Sequence, residues 1–428
     1  MFENLLAQDE ALALLRSDVE TGRLPPALLF AGPPGSGKLT AALEMARALS
    51  CTAPGERAAW NCPCPSCARH RSLSHSDLVL MGPRTFPEEL GAALEMLERS
   101  PGKAASYFFV RAARKLLRRF DPVLFEGEEA RLGKAIALVR EAEENLERLA
   151  PERASTGQLA PGAAEAAAKV AGACAKLEGF VPDSLPVFMV RNAELWARLA
   201  PLGSRKTVVI ENADRMLDSA RNALLKILEE PPESVRFVLL SSRRSALLGT
   251  ILSRSRTYAF RARDAAGTQL VLDRVFRSGE PAASVEAFLA ARRAFPPSEA
   301  RQRAEAFLSA ALAARTERSS LPTPLAEMAR TAEAERRSPS LALAALMEAT
   351  KDFGAKDERY ASSFRSFLSA LAGILGAALR DGEMDARGME TVESWARLLR
   401  EARADYESWN RNPGLIAETL LYAIAEEP

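Results

Sequence analysis

Ala27-Leu28-Leu29-Phe30-Ala31-Gly32-Pro33-Pro34-Gly35-Ser36-Gly37-Lys38-Leu39-Thr40 is the stretch whose reading decides the fold. An apolar run, a loop of glycine and proline, and a helix-forming run to about residue 50 read as strand, turn and helix. That order opens a parallel α/β unit. Glycines let the backbone N–H groups curl around phosphates, the helix N-terminus favours negative charge, and Lys38 is placed to reach a β or γ phosphate. The expected nucleotide contacts are Gly32, Gly35, Ser36, Gly37, Lys38, Leu39 and Thr40. A hydrolysing loop places Ser or Thr directly after its lysine, where the hydroxyl ligates Mg²⁺. Leu39 stands at that position, and the next residue, Thr40, is turned about 100° further round the helix. ATP or ADP is expected to bind, with its metal poorly held and without hydrolysis.

Working outward, a helix is expected over 5–21 and strands over 77–81, 206–210 and 235–240, with a helix over 218–230 stopped by Pro231-Pro232. The run 206–210 continues Val208-Val209-Ile210-Glu211-Asn212-Ala213-Asp214. A neutral amide at Asn212 takes up no proton at useful pH, so it cannot activate water. Between 84 and 184 the chain is rich in Ala, Glu, Arg and Leu with helical periodicity, and reads as an inserted hairpin of helices projecting from the α/β domain. From 263 onward every segment reads as helical, with a break at Ser319-Ser320-Leu321-Pro322-Thr323-Pro324.

With 428 residues, the chain is long enough for two or three domains. A net charge of +1 leaves any nucleic-acid contact to a local patch. No apolar run is long enough to cross a bilayer, and the first residues lack the basic start of a signal peptide, so a cytoplasmic location is expected. Four of the five cysteines fall between Cys51 and Cys67, which in a reducing compartment favours a metal over disulfides. Cys51, Cys62, Cys64 and Cys67 supply four thiolates for a closed, structural zinc site. Only one residue separates Cys62 from Cys64, which leaves the fourth ligand open, because His70 and His75 are near enough to replace Cys62 or Cys51. Cys174, in an Ala-rich run, reads as a small buried apolar residue. Arg111, Arg114, Lys115, Arg118 and Arg119 share one side of a helix; the favoured reading is a solvated face, the alternative a contact with DNA phosphates.

Asn212-Ala213-Asp214-Arg215-Met216, then Asn222-Ala223-Leu224-Leu225-Lys226-Ile227-Leu228-Glu229-Glu230-Pro231-Pro232 and Ile251-Leu252-Ser253-Arg254-Ser255 resemble the signature of bacterial DNA polymerase III clamp-loader subunits. The cysteine cluster after the loop helix, Gln8 ahead of the first helix, and Asn412-Pro413-Gly414-Leu415 near the end resemble that family too. The family's cysteine trio is spaced Cys-x₂-Cys-x₂-Cys and its arginine motif is Ser-Arg-Cys, and this chain departs from both. The resemblance implies an α/β AAA+ P-loop domain with a parallel sheet and flanking helices over 1–262, holding a zinc knuckle (51–75) and the insertion (84–184). A small helical lid (263–325) and an all-α collar (326–428) would follow. The losses at Leu39 and Asn212 make the chain similar to the delta-prime type: a stator that hydrolyses little, helps load the sliding clamp on primed DNA, and passes Arg254 in trans to a neighbouring motor subunit. The implied partners are the gamma/tau and delta subunits, the sliding clamp and primed DNA. Ser241 or Ser242 occupies the sensor position of that family. An active gamma/tau-type motor ATPase is the alternative, and an adaptor outside replication a third reading.

Overall fold

Five parallel strands, β1 (Ala27–Ala31), β2 (Leu78–Met81), β3 (Lys206–Ile210), β4 (Val235–Ser241) and β5 (Arg256–Ala259), form one sheet in the computed structural model, in the order β2-β3-β4-β1-β5. The structure describes all residues except 55–57, 85, 134, 155–156, 183, 293–296, 315–324, 329, 331–362, 382–385, 408–410 and 427–428. Every residue of β1 to β4 is buried, as parallel strands covered on both faces must be. Pairing of Ala31 with Ser241 and of Ile210 with Leu239 sets the carboxyl ends of β1, β3 and β4 side by side. The loops leaving them therefore open on one sheet edge, where open α/β sheets bind ligands.

Strand β5 was not expected from the sequence. It is an edge strand with only Tyr258 buried, so its apolar pattern is weak. The Tyr258 hydroxyl donates to Asp18 at 2.7 Å, and Arg256 pairs with the same carboxylate, pinning β5 to helix α1 (Asp9–Glu20).

Helix α2 (Lys38–Leu49) follows β1, and the short α3 (Pro65–Arg71) lies in the cysteine-bearing loop. The insertion supplies α4 (Pro87–Arg99), α5 (Lys103–Leu117), α6 (Ala135–Arg148) and α7 (Ala163–Glu178). Its α6 packs along α7, and α5 lies against α7 as well. The expected projecting hairpin is corrected here: Phe109, Leu116, Leu124, Ala142 and Val170 belong to one apolar core with Leu80 and Val209 of the sheet. Along α7, Ala163, Ala166, Ala167, Val170, Ala173, Cys174 and Leu177 make a buried stripe of mostly small residues at helical spacing. Cys174 is a packing residue in that stripe, and burial pushes its thiol up to about 12. Helices α8 (Val187–Arg198), α9 (Asp218–Glu229) and α10 (Gly249–Arg254) complete the α/β part.

The chain divides into two compact units, 1–289 and 290–428. Residues beyond 262 thus continue the first unit. Helix α11 (Ala265–Val271) and a π turn (Leu272–Phe276) lead to α12 (Val285–Ala290), and Val271, Leu272, Phe276 and Phe288 pack on Ala92 of α4. The break expected at 319–324 lies outside the described residues. In the second unit α13 (Pro297–Ala314), α14 (Ser363–Asp381), α15 (Ala386–Glu407) and α16 (Pro413–Glu426) enclose Phe307, Phe367, Trp395 and Leu420. Asn412 caps α16, its Oδ1 accepting from Gly414 N–H at 2.8 Å, with proline at the first helical position. Among the described residues no helix is long and apolar enough to cross a membrane.

Candidate functional site

The glycine loop turns out of β1 into α2 at the carboxyl edge of the sheet. Gly37 sits at φ 96°, a left-handed conformation that an L side chain rarely adopts. At Gly32 a Cβ would stand 2.2 Å from the carbonyl oxygen of Phe260, so only glycine lets the loop pass that backbone. Lys38 is folded into its own loop, its Nζ donating to Gly32 O and Pro33 O at 2.6 Å each. Ser36 Oγ donates to Pro33 O at 2.8 Å. Burial, and then the charge of Arg84, lower the Lys38 ammonium to about 8. Arg263 closes over the loop, donating to Gly35 O and, at 3.2 Å, to Leu6 O. Gln8, expected at the nucleotide site, exchanges two hydrogen bonds with the backbone of Arg261, at 2.8 and 3.0 Å. The loop thus holds its own cation, Lys38, on loop carbonyls.

A divalent metal does not fit beside it. Leu39, where a hydroxyl would be needed, is 7% exposed and belongs to the apolar core. Glu211, at the end of β3, is 3% exposed, and a guanidinium holds each of its oxygens: Arg84 Nη1 donates to Oε1 at 3.2 Å, and Arg119 Nη2 to Oε2. Gly82 lets the loop after β2 pass close to the Glu211 main chain, since a Cβ there would stand 2.7 Å from Glu211 O. Asn212 adopts φ 51°, which asparagine tolerates better than most residues. Asp214 accepts from Ser241 Oγ at 2.9 Å and from Arg243 Nε at 3.3 Å. The side chains that hold Mg²⁺ and activate water in a hydrolysing site are thus absent, buried in apolar packing, or already bonded to cations.

The cysteine loop lies between α2 and the insertion. The sulfurs of Cys51, Cys62, Cys64 and Cys67 all lie within 4.8 Å of one another, with Cys51 Sγ 3.8 Å from Cys62 Sγ and 4.0 Å from Cys64 Sγ. Four thiolates at about 2.3 Å from one Zn²⁺ stand about 3.8 Å apart on a tetrahedron. The donor set therefore fits a closed metal site. Cys64 caps α3, its sulfur accepting from Cys67 N–H at 3.4 Å, so both sulfurs gather at one helix end. Burial raises the Cys64 thiol, but N–H groups of Cys67 and Thr52 outweigh it and hold that thiol at about 6. Burial and the neighbouring thiols push Cys67 far above its ordinary range. His70 and His75 are outside the cluster: their rings stack at 4.1 Å, His75 Nε2 lies 3.0 Å from Ser66 Oγ, and its Nδ1 accepts from Asp77 N–H. That removes the histidine alternative left open by the cysteine spacing.

The basic face of α5 and the turn after it is bonded within the chain rather than solvated. Arg111 donates to Arg71 O at 2.9 Å, Arg114 to Ser72 O at 2.9 Å, and Arg118 to Leu73 O at 2.9 Å and His75 O at 2.6 Å. These are carbonyls at and just beyond the C-terminus of α3, which lack helical partners and favour cations. Arg114 also pairs with Glu143 and Lys115 with Glu89. The expected solvated face is therefore a seam that stitches the insertion to the cysteine loop. Sequence reading missed it because its acceptors are mostly main-chain oxygens some forty residues upstream.

Arg254, at the end of α10, is one-third exposed and turned onto its own domain, donating to Glu229 Oε1 at 2.8 Å and to Thr250 O at 3.0 Å. The nearby Arg256 is committed to Asp18. Neither arginine lies in this chain's own loop site.

A family model described as "DNA polymerase III, delta subunit" matches residues 7–110 and 184–264. The unmatched segment, 111–183, is shorter than the insertion expected from sequence and leaves α4 and the first half of α5 inside the match. Among similar proteins, DNA polymerase III subunit delta' of Pseudomonas aeruginosa is 43% identical over 91 residues, 21% of this chain and 27% of that protein. The corresponding subunit of Bacillus subtilis is 35% identical over 82 residues, 18% of this chain and 25% of that protein. DNA polymerase III subunit gamma/tau of Mycobacterium bovis is 44% identical over 63 residues, 14% of this chain and 11% of that protein. The aligned stretches thus cover about a quarter of the two delta' relatives.

Proposed function

We propose that this chain, a relative of the DNA polymerase III subunits of the delta-prime and gamma/tau types, works as a delta-prime-like stator of a clamp loader. In this reading it does not hydrolyse nucleotide. It joins gamma/tau motor subunits and a delta subunit, helps them place a sliding clamp on primed DNA, and lends Arg254 to the triphosphate of an adjacent motor subunit. One observation carries the reading: Glu211, the acidic residue at the end of β3, is bonded to Arg84 and Arg119, while Leu39 and Asn212 stand at the metal-ligand and water-activating positions. Each change alone weakens hydrolysis, and together they leave the loop's cation, Lys38, without a well-held Mg²⁺ beside it and without a residue at the water-activating position to take a proton.

Zn²⁺ held by Cys51, Cys62, Cys64 and Cys67 is structural in this account, since four protein ligands leave no open position for chemistry. ADP or ATP rests in Gly32 to Thr40 without being consumed. The proposed collar (326–428) serves assembly, and the proposed lid (263–325) falls partly in each of the two compact units. Reconstitution with motor and delta subunits tests the reading: a stable complex containing this chain is expected, and failure to co-purify with either argues for an adaptor outside replication. The motor alternative draws support from the gamma/tau likeness and from an intact Lys38. Motor-like ATP turnover by the isolated chain, lost on Lys38→Ala, would establish it.

A further inference from the structure

We infer that the insertion supplies the silent loop site with a permanent internal cation: the Arg119 guanidinium takes the place of a divalent metal on Glu211 and shuts metal out. Arg119 lies in the 3₁₀ turn Arg118–Phe120, within the segment left unmatched by the family model. It is 3% exposed, as is Glu211, and their ion pair joins the insertion to the end of β3. Arg84, from the loop after β2, takes the other carboxylate oxygen. The ring of Phe86, 2% exposed, supports both cations, with the Arg119 guanidinium carbon 5.4 Å and that of Arg84 4.8 Å from its centroid. Nε and Nη1 of Arg119 have no hydrogen-bond partner among the described residues, so Glu211 and the Phe86 ring hold the buried charge in place.

A buried carboxylate needs a countercharge, because an isolated ion in apolar surroundings is strongly disfavoured. A mobile metal brought by nucleotide meets that need only while the site is loaded. A covalently supplied guanidinium meets it always, so the sheet edge keeps one electrostatic state whether or not a polyphosphate sits in the loop. The insertion thereby makes the domain indifferent to metal-nucleotide exchange. This inference rests on the non-hydrolysing reading and adds the residue that enforces it.

A double-mutant cycle in the full chain, read by thermal unfolding, tests it. Glu211→Gln strands the buried Arg119 guanidinium and is expected to lower the midpoint by roughly 5–8 °C, whereas Arg119→Met leaves Glu211 paired with Arg84 alone and is expected to lower it less. The double variant, which removes both charges, is expected to lose less than half the sum. Additive losses would overturn the inference. If Arg119→Met does not fold, comparison of Glu211→Gln with the double variant still decides, since the double must be the more stable of the two. Wild-type unfolding is also followed with ADP in EDTA and with ADP plus Mn²⁺. An unchanged midpoint is expected, whether or not ADP alone raises it, and an added rise with Mn²⁺ means that metal reaches Glu211. ATP turnover by the wild-type chain at a motor-like rate would defeat the stator reading instead, whereas additivity without turnover defeats this inference alone.

Discussion

Arg254→Ala separates a residue that serves its own fold from one that serves a neighbour. In the isolated chain the side chain holds a half-exposed ion pair with Glu229 and one bond to Thr250 O, and it is one-third exposed. A surface pair of that kind contributes about 0–1 kcal/mol, and a hydrogen bond about 1 kcal/mol. Deleting the side chain should therefore lower the stability of the isolated protein by about 1–2 kcal/mol at most and leave complex formation intact. A guanidinium supplied in trans, by contrast, accelerates phosphoryl transfer roughly 10³- to 10⁵-fold, or about 4–7 kcal/mol of barrier. That exceeds the pairing energy that must be given up to swing Arg254 away from Glu229. The assay is DNA- and clamp-stimulated ATP hydrolysis by the reconstituted complex, with loss confined to the one motor site beside this chain. Total turnover should fall by that site's share while assembly, followed by gel filtration, stays as it was. Glu229→Gln, which frees the guanidinium, should at least preserve turnover. Unchanged hydrolysis on Arg254→Ala, with assembly intact, would refute the reasoning and leave the Glu229 pair as the residue's whole role.

The cysteine cluster should carry one Zn²⁺ per chain, measurable by atomic emission, and lose it on Cys67→Ser but not on His75→Ala. Because thiolates rather than thiols bind metal, zinc should be released as pH falls. Lys38 gives a second pH test with the opposite sign. Its ammonium is lowered to about 8 in the folded protein, so its attraction for a phosphate group is complete below that pH and disappears above it. The affinity for a fluorescent ADP analogue should be level below pH 8 and fall by up to about tenfold per unit above it, and pH-independent binding would show that Lys38 does not reach the ligand.

Local chemistry made part of this molecule readable from sequence. The glycine loop, the apolar runs of β1, β3 and β4 and the Pro231-Pro232 stop are each decided by a few adjacent residues, and each recurs in the structure within a residue or two. The cysteine quartet was visible as a cluster, but its separation from His70 and His75 was not. That choice depends on α3 placing Cys64 and Cys67 at its N-terminal end while both histidines stack on the side of Ser66 and Asp77. The α5 arginines were misread because a helical wheel shows charge but not its acceptors. Here those are the carbonyls of residues 70–75 together with Glu143 and Glu211, which only folding brings near. Strand β5 escaped notice because an exposed edge carries no continuous apolar run.

Steady-state ATP hydrolysis by the isolated full-length protein in Mg²⁺, beside Lys38→Ala, probes the account most directly. Turnover at background for both proteins is the predicted result, because Glu211 is bonded to two guanidinium groups and Leu39 and Asn212 stand at the metal-ligand and water-activating positions. Turnover well above background that vanishes with Lys38→Ala would contradict it.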